Sequence, residues 1–119
     1  MKTNRYELLM SYMDGLHGAS NGYFAALRES IGKVKKICYN HGVYYATIIP
    51  AIGICGAVES SLQIIIIPMK DENIEGLELR IQSICEDIRQ EFDQYSVMVN
   101  RVVMEGSCLT TKQNPYVEV

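Results

Sequence analysis

The sequence predicts an α+β fold of the ferredoxin-like type, βαββαβ, with a four-stranded antiparallel sheet and two helices on one face. Two stretches carry apolar residues at helical spacing, at 22–40 and 72–94, and four strand-like stretches surround them. Successive elements usually lie side by side and crossover connections are right-handed. For the order βαββαβ, these two rules favour the ferredoxin-like arrangement. We assign residues 1–106 to the ferredoxin-like domain and residues 107–119 to an extended C-terminal arm.

The stretch from Ser61 to Pro68 predicts the central strand of the sheet. Its four consecutive isoleucines, residues 64–67, place apolar side chains on both sides of a strand. Pro68 should end the strand because proline brings no N–H to the ladder. Two helices cover only one face, so we expect a second copy of the chain to cover the other, in a dimer or trimer. A monomer whose tail folds back across the open face is the alternative.

The first half of the chain contains a strand, a glycine-containing loop and a helix. Residues 5–13 alternate with period two and predict the first strand. The helix should follow from about residue 22 to residue 40, with Ser20 or Asn21 as its cap and Gly42 closing it. Its apolar stripe has spacings of three and four, and consists of Phe24, Leu27, Ile31, Val34 and Cys38.

The second half predicts a long hairpin, a second helix and a last strand. Residues 43–49 read as the second strand, which Pro50 interrupts, and residues 50–60 turn the chain back into the isoleucine strand. Asp71 is the expected cap of the second helix, and residues 96–104 are the fourth strand. The apolar stripe of this helix consists of Ile74, Leu77, Ile81, Ile84, Ile88 and Phe92.

Composition argues against several classes of function. A net charge of -3 and a pI near 5.3 give no basic field for a nucleic acid. Apolar stretches fall short of the ~18 residues that span a membrane, and the first residues have no signal-peptide character, so we expect a cytoplasmic protein. The cysteines are single and unpaired in sequence, and the two histidines, His17 and His41, fall at opposite ends of the sheet. We therefore predict buried reduced thiols, no metal site and no cofactor.

One end of the predicted sheet gathers the candidate ligand-binding residues. The loop after the first strand, the hairpin and the turn before the last strand meet there. Glycines let a ligand approach the backbone, and a helix start offers N–H groups to an anion. A long turn that needs glycine only for its geometry is the alternative explanation. The residues concerned are Asp14, His17, Gly18, Ser20, Asn21, Gly53, Gly56, Glu59 and Tyr95.

Catalytic chemistry is less well supported than binding. Asp14, His17 and Ser20 could act as acid and base, but no second carboxylate is clearly paired with Asp14. We therefore expect a protein that is not an enzyme and assign no catalytic residue. A small enzyme using His17 with Asp14 remains an alternative.

The chain resembles the P-II-like group of small trimeric signalling proteins. The resemblance lies in Leu62 to Pro68 before an acidic helix start, in Gly53 to Gly56 at the hairpin, and in His17-Gly18 before residues 23–27. It implies a sensor that binds adenine nucleotides or bicarbonate-type signals in clefts between subunits. Gly53 and Gly56 would then lie near the ligand, and Arg101 and Lys112 would hold phosphate. The hairpin of about eleven residues is shorter than the effector-binding loop of the group, and no basic pair follows the fourth strand.

These observations favour an oligomeric protein that holds a small anionic, nucleotide-like ligand at subunit clefts. It would act as a sensor in signalling or would sequester the ligand. The alternative is a protein-interaction module, an inhibitor or adaptor, that uses its sheet edge or C-terminal arm to bind another protein.

Overall fold

Six elements form the fold in the order strand, helix, strand, strand, helix, strand. The structure, a computed structural model, describes residues 2–14, 21–54 and 58–105. The elements are β1 (Lys2–Asp14), α1 (Asn21–Asn40), β2 (Thr47–Ile54), β3 (Val58–Ile66), α2 (Ile74–Glu91) and β4 (Met98–Glu105). All neighbouring strands are antiparallel, in the sheet order β2-β3-β1-β4. Both helices pack on one face, so the predicted ferredoxin-like fold is confirmed.

The isoleucine run forms the centre of the sheet, as predicted. β3 lies between β2 and β1, and Ile64 and Ile66 are fully buried on the side that faces the helices. Ile65 points to the opposite side, where only 8% of it is exposed. β3 ends at Ile66, before Pro68, and Ile67 beyond it is 44% exposed. The run therefore contributes buried side chains to both faces of the central strand, and its last isoleucine lies outside the core.

The two helices cover the sheet through the predicted stripes, with one exception. Leu77, Ile81, Ile84 and Ile88 of α2 are buried, as are Val34 and Cys38 of α1. Phe24, expected on the same stripe, is 47% exposed, which corrects the prediction. Leu27 and Ile31 of the same stripe are partly buried and pack against the core, so the described part of the stripe contacts the core from Leu27 onward.

The ends of the helices follow local capping rules, although one predicted cap was wrong. The Asn73 side chain accepts a hydrogen bond of 2.8 Å from Gly76 N and caps α2. Asp71, the expected cap, has a φ of 69° and lies in the preceding turn. Gly42 closes α1 with a φ of 75°, as predicted.

The predicted hairpin was wrong in length. β2 runs through Pro50, which pairs with Leu62, and residues 51–54 pair with residues 58–61 of β3. Proline is tolerated here because β2 is an edge strand with a ladder partner on one side only. β2 therefore ends at Ile54 and β3 begins at Val58, and residues 55–57 lie outside the described residues. β1 likewise extends to Asp14, which belongs to the strand and not to the loop.

The sheet end away from the candidate ligand-binding residues is held by Glu72. Its carboxylate accepts hydrogen bonds from the Tyr45 hydroxyl, from Met69 N at 2.8 Å and from Arg80 Nη2 at 2.9 Å. Burial opposes ionisation of Glu72, but these hydrogen bonds outweigh it and lower the pKa of the carboxyl. The network ties the connection before β2 to the turn before α2.

Two negative findings apply to the described ranges 2–14, 21–54 and 58–105. No helix within them is long and apolar enough to cross a membrane. No three His, Cys, Asp or Glu side chains within them come together as metal ligands.

The buried thiol of Cys38 predicts a loss of stability at alkaline pH. Burial raises the pKa of Cys38 from 9.0 to about 11, so the thiol ionises more readily in the unfolded chain. The free energy of unfolding should therefore fall as the pH rises from about 9 to about 11, by about 2 to 3 kcal/mol for this thiol. Denaturant unfolding under reducing conditions at a series of pH values measures the slope.

Cys38→Ala is the matched variant for that slope. It is expected to be less stable at neutral pH but to lose less stability between pH 9 and pH 11. Burial also raises the pKa of Cys85 to about 11 and of Tyr45 to about 12, so part of the slope remains. Equal slopes in the two proteins would contradict the assignment to Cys38.

Candidate functional site

A cluster of polar residues lies at the end of the sheet where the sequence placed the ligand. We define the Glu59 cluster as Ser11, Gly53, Glu59 and Ser61. The Ser11 hydroxyl donates a hydrogen bond to Glu59 Oε2, and the Ser11 and Ser61 hydroxyl oxygens are 3.4 Å apart. Ser61 is buried and Glu59 is partly buried, so the carboxylate is held in place at the edge of the core.

Strand register brings these residues together on the side of the sheet away from the helices, which we call the open face. Ser11 pairs with Ser61, and Gly53 pairs with Glu59. A β-bulge between Ser11 and Met13 shifts the register, so that Asp14 also pairs with Glu59. Ser11 N donates a 3.1 Å hydrogen bond to Gln94 Oε1, which ties the turn before β4 to the same end.

Gly53 keeps open a space that any side chain would fill. A Cβ at this position would lie 2.9 Å from Ser61 Oγ and 3.8 Å from Glu59 Oε2. The first distance is shorter than van der Waals contact, so the serine or the strand would have to move. The glycine therefore leaves the Glu59 carboxylate accessible to a ligand beside the backbone.

The cluster suits a cation or a hydrogen-bond donor better than an anion. Its described side chains are one carboxylate and two hydroxyls, and an ionised carboxylate only accepts hydrogen bonds. Glu59 was expected at this end, but Ser11 and Ser61 were not singled out. The available signal was two polar residues, Ser60 and Ser61, at the start of an otherwise apolar central strand.

The other predicted site residues are distributed as follows. Asp14 ends β1 and Asn21 begins α1, and nothing is described of their side chains. Arg101 lies on β4 opposite Tyr6, on the helix side of the sheet, so a single chain does not bring it to Gly53. Tyr95 is fully exposed in the turn before β4. The remaining predicted residues lie outside the described residues, and they are His17, Gly18, Ser20, Gly56 and Lys112.

A second concave site lies between α2 and β4, and we call it the α2–β4 groove. Its volume is about 570 Å³. At one end Glu78 Oε2 accepts a hydrogen bond of 3.1 Å from the buried Tyr6 hydroxyl and lies 3.4 Å from Arg101 Nη1. Burial, with the neighbouring Glu78 carboxylate, raises the pKa of Tyr6, so its hydroxyl remains a donor.

The open face carries exposed apolar side chains from three strands. Leu9, Ile49, Met98 and Val102 are all more than a third exposed, and Ile65 lies among them. Polar residues such as Gln63 and Glu7 lie between them on the same face, and a mixture of exposed apolar and polar side chains is typical of a protein interface. It is the surface for which the sequence predicted a second copy of the chain.

No protein-family model matches the sequence, and no curated protein matches it. Among solved structures, the chain is similar to a phage SAM lyase in its apo state, with a TM-score of 0.67 and 19% identity over 95% of this chain and 93% of that chain. It is similar to a phage SAM lyase in complex with S-methyl-5'-thioadenosine, with a TM-score of 0.66 and 19% identity over 84% and 80% of the two chains.

A weaker similarity links the chain to a dimeric ferredoxin-like protein from an uncultured marine organism. The TM-score is 0.46 and the identity 10%, over 93% of this chain and 95% of that chain. At 19% identity, the two similarities to phage SAM lyases show a common fold. The chain therefore shares its βαββαβ architecture with these enzymes over most of its length.

Proposed function

We propose that this protein is a homo-oligomer that binds S-adenosylmethionine (SAM), or the thioether S-methyl-5'-thioadenosine, at the Glu59 cluster. The observation that carries the proposal is the Glu59 carboxylate, oriented by Ser11 beside the bare backbone of Gly53. The similarity in fold to phage SAM lyases over 95% of the chain supports the choice of ligand.

The charge of the cluster supports a sulfonium ligand. SAM carries a fixed positive charge on sulfur, and a partly buried carboxylate attracts such a charge more strongly than a solvated one does. The sequence predicted a nucleotide-like anion. SAM shares the nucleoside part of that ligand but carries a cationic group in place of the phosphate, and the Glu59 carboxylate would repel a phosphate.

The open face supports the oligomeric part of the proposal. Leu9, Ile49 and Met98 extend from the Glu59 cluster across the sheet, and a second copy seated there would bury them. A subunit packed on this face would also cover the cluster, which lies at one end of the same face. Exclusion of water would strengthen the attraction between Glu59 and a cation.

Calorimetric titration with SAM, with S-methyl-5'-thioadenosine and with ATP tests the binding. We expect about one SAM per chain, bound at least tenfold more tightly than ATP. Glu59→Gln should weaken SAM binding by about tenfold or more and leave S-methyl-5'-thioadenosine less affected, because the thioether carries no charge. Glu75→Gln, which removes an exposed acid of α2, is the matched control. Tighter binding of ATP, or no binding of either adenosyl compound, would refute the proposal.

Cleavage of SAM is a second candidate function. The two similar phage proteins are lyases, and one of them is in complex with S-methyl-5'-thioadenosine. That thioether forms when the bond from sulfur to Cγ of the amino-acid chain breaks and sulfur keeps the bonding electrons, while a carboxylate oxygen of the same SAM molecule bonds to Cγ and closes a lactone. Release of S-methyl-5'-thioadenosine, measured by chromatography against SAM incubated alone, would show turnover. Bound SAM that stays intact would favour a sensor or a sequestering protein.

A further inference from the structure

We propose that the α2–β4 groove is a second ligand site, which binds a free amino acid with a large apolar side chain. The groove lies on the helix side of the sheet, whereas the Glu59 cluster lies on the open face. The two sites use different residues, so this proposal does not rest on the proposed function.

One end of the groove carries the two charges that a zwitterion requires. Glu78 Oε2 and Arg101 Nη1 lie 3.4 Å apart. The α-ammonium and α-carboxylate groups of an amino acid are attached to one carbon and have a similar separation. An amino acid can therefore face the pair with its ammonium on Glu78 and its carboxylate on Arg101. The Arg101 side chain is 58% exposed and its guanidinium has five N–H donors, so it can hold a carboxylate with two hydrogen bonds.

Tyr6 fixes the position of the acidic half of this pair. Tyr6 is only 2% exposed, it lies on the central part of β1, and its hydroxyl donates to the same Glu78 oxygen that faces Arg101. A carboxylate held in this way loses little conformational freedom when a ligand binds, which favours affinity. Tyr6 is a positioning residue in this arrangement and need not touch the ligand.

The rest of the groove is built for an apolar side chain. Ile81, Cys85, Val97 and Val99 line it beyond the charged end. Its volume of about 570 Å³ is within the usual range for sites that bind small molecules. At the far end Glu86 and Arg89 form a tighter ion pair, at 2.6 Å against 3.4 Å for Glu78 and Arg101, so the Glu78–Arg101 pair is the easier one for a ligand to engage. A phosphate dianion fits this site poorly because Glu78 would repel it.

Calorimetric titration with L-phenylalanine and two partial analogues tests the proposal. Phenethylamine lacks the carboxylate and 3-phenylpropionate lacks the ammonium group, while both keep the aromatic ring. We expect L-phenylalanine to bind at least tenfold more tightly than either analogue. No saturable binding of L-phenylalanine up to about 10 mM, or equal binding of all three compounds, would overturn the proposal.

Three variants locate the binding. Arg101→Gln should weaken L-phenylalanine about tenfold but leave phenethylamine bound at least as tightly, because the carboxylate contact is lost while Glu78 is freed from a competing cation. Arg28→Gln removes the same kind of side chain from the exposed surface of α1, outside the groove, and should leave L-phenylalanine binding unchanged. Glu59→Gln should also have no effect, and a loss of L-phenylalanine binding in that variant would place the ligand at the other site and refute the proposal. Circular dichroism checks that each variant is folded.

Discussion

Replacing Ile64 by alanine is expected to lower the free energy of unfolding by about 2 to 5 kcal/mol. Ile64 is fully buried in β3, where it pairs with Leu8 on one side and with Ile48 on the other. The substitution removes three carbon atoms from the most enclosed layer of the core, and surrounding strands on both sides limit its collapse. Urea unfolding followed by far-ultraviolet circular dichroism measures the change, since the chain has no tryptophan.

Ile67→Ala is the matched control, because it makes the same chemical change three residues later in the same run. Ile67 lies beyond the end of β3 and is 44% exposed, so its loss should cost less than about 1 kcal/mol. Both variants must be compared at one protein concentration, since an oligomer gains apparent stability with concentration. Equal losses in the two variants would contradict the placement of Ile64 in the core.

The central strand could be predicted because its evidence is local. Four consecutive isoleucines predict apolar side chains on both faces of a strand, whatever its neighbours are, and Ile65 is indeed buried on the open face. The stripe of α2 is local in the same sense, since spacings of three and four define one side of a helix wherever the helix packs.

The length of the hairpin could not be predicted because it depends on the sheet order. A proline breaks a central strand but is tolerated in an edge strand, and β2 is an edge strand only because β3 pairs with β1 on its other side. Residues 51–54 were therefore assigned to a turn although they belong to the ladder. The N-cap of α2 could not be predicted either, because Asp71 and Asn73 are both residue types that favour the N-cap position.

The sequence predicted where in the fold the candidate site lies, but not all of the residues that form it. Gly53 and Glu59 could be assigned to one end of the sheet from the order of the elements. Ser11 joins them across 48 positions of sequence through strand register, which no local pattern reveals. The bulge after Ser11 then changes the alternation of β1 and sets Asp14 opposite Glu59.

Replacing Gly53 by valine is expected to weaken binding of SAM severely while leaving the chain folded. The Cβ alone would lie 2.9 Å from Ser61 Oγ, and the two methyl groups would extend into the space around Glu59. Valine would block the contact between SAM and the Glu59 carboxylate and would fill the space beside the backbone. The affinity for SAM should therefore fall by about a hundredfold or more, which corresponds to roughly 3 kcal/mol. Gly53 lies in an edge strand, where valine is well accepted by the backbone.

Gly32→Val is the control for this substitution, because a Cβ at Gly32 meets nothing within 4 Å. It should bind SAM as the unchanged protein does. Gly53→Ala adds the Cβ without the two methyl groups and should give an intermediate affinity, since Ser61 can adjust by rotation more easily than the strand can move. Undiminished binding of SAM by Gly53→Val would exclude the Glu59 cluster as the binding site. A graded loss from glycine through alanine to valine, with native mass spectra unchanged, would instead mean that the space beside Gly53 receives the ligand.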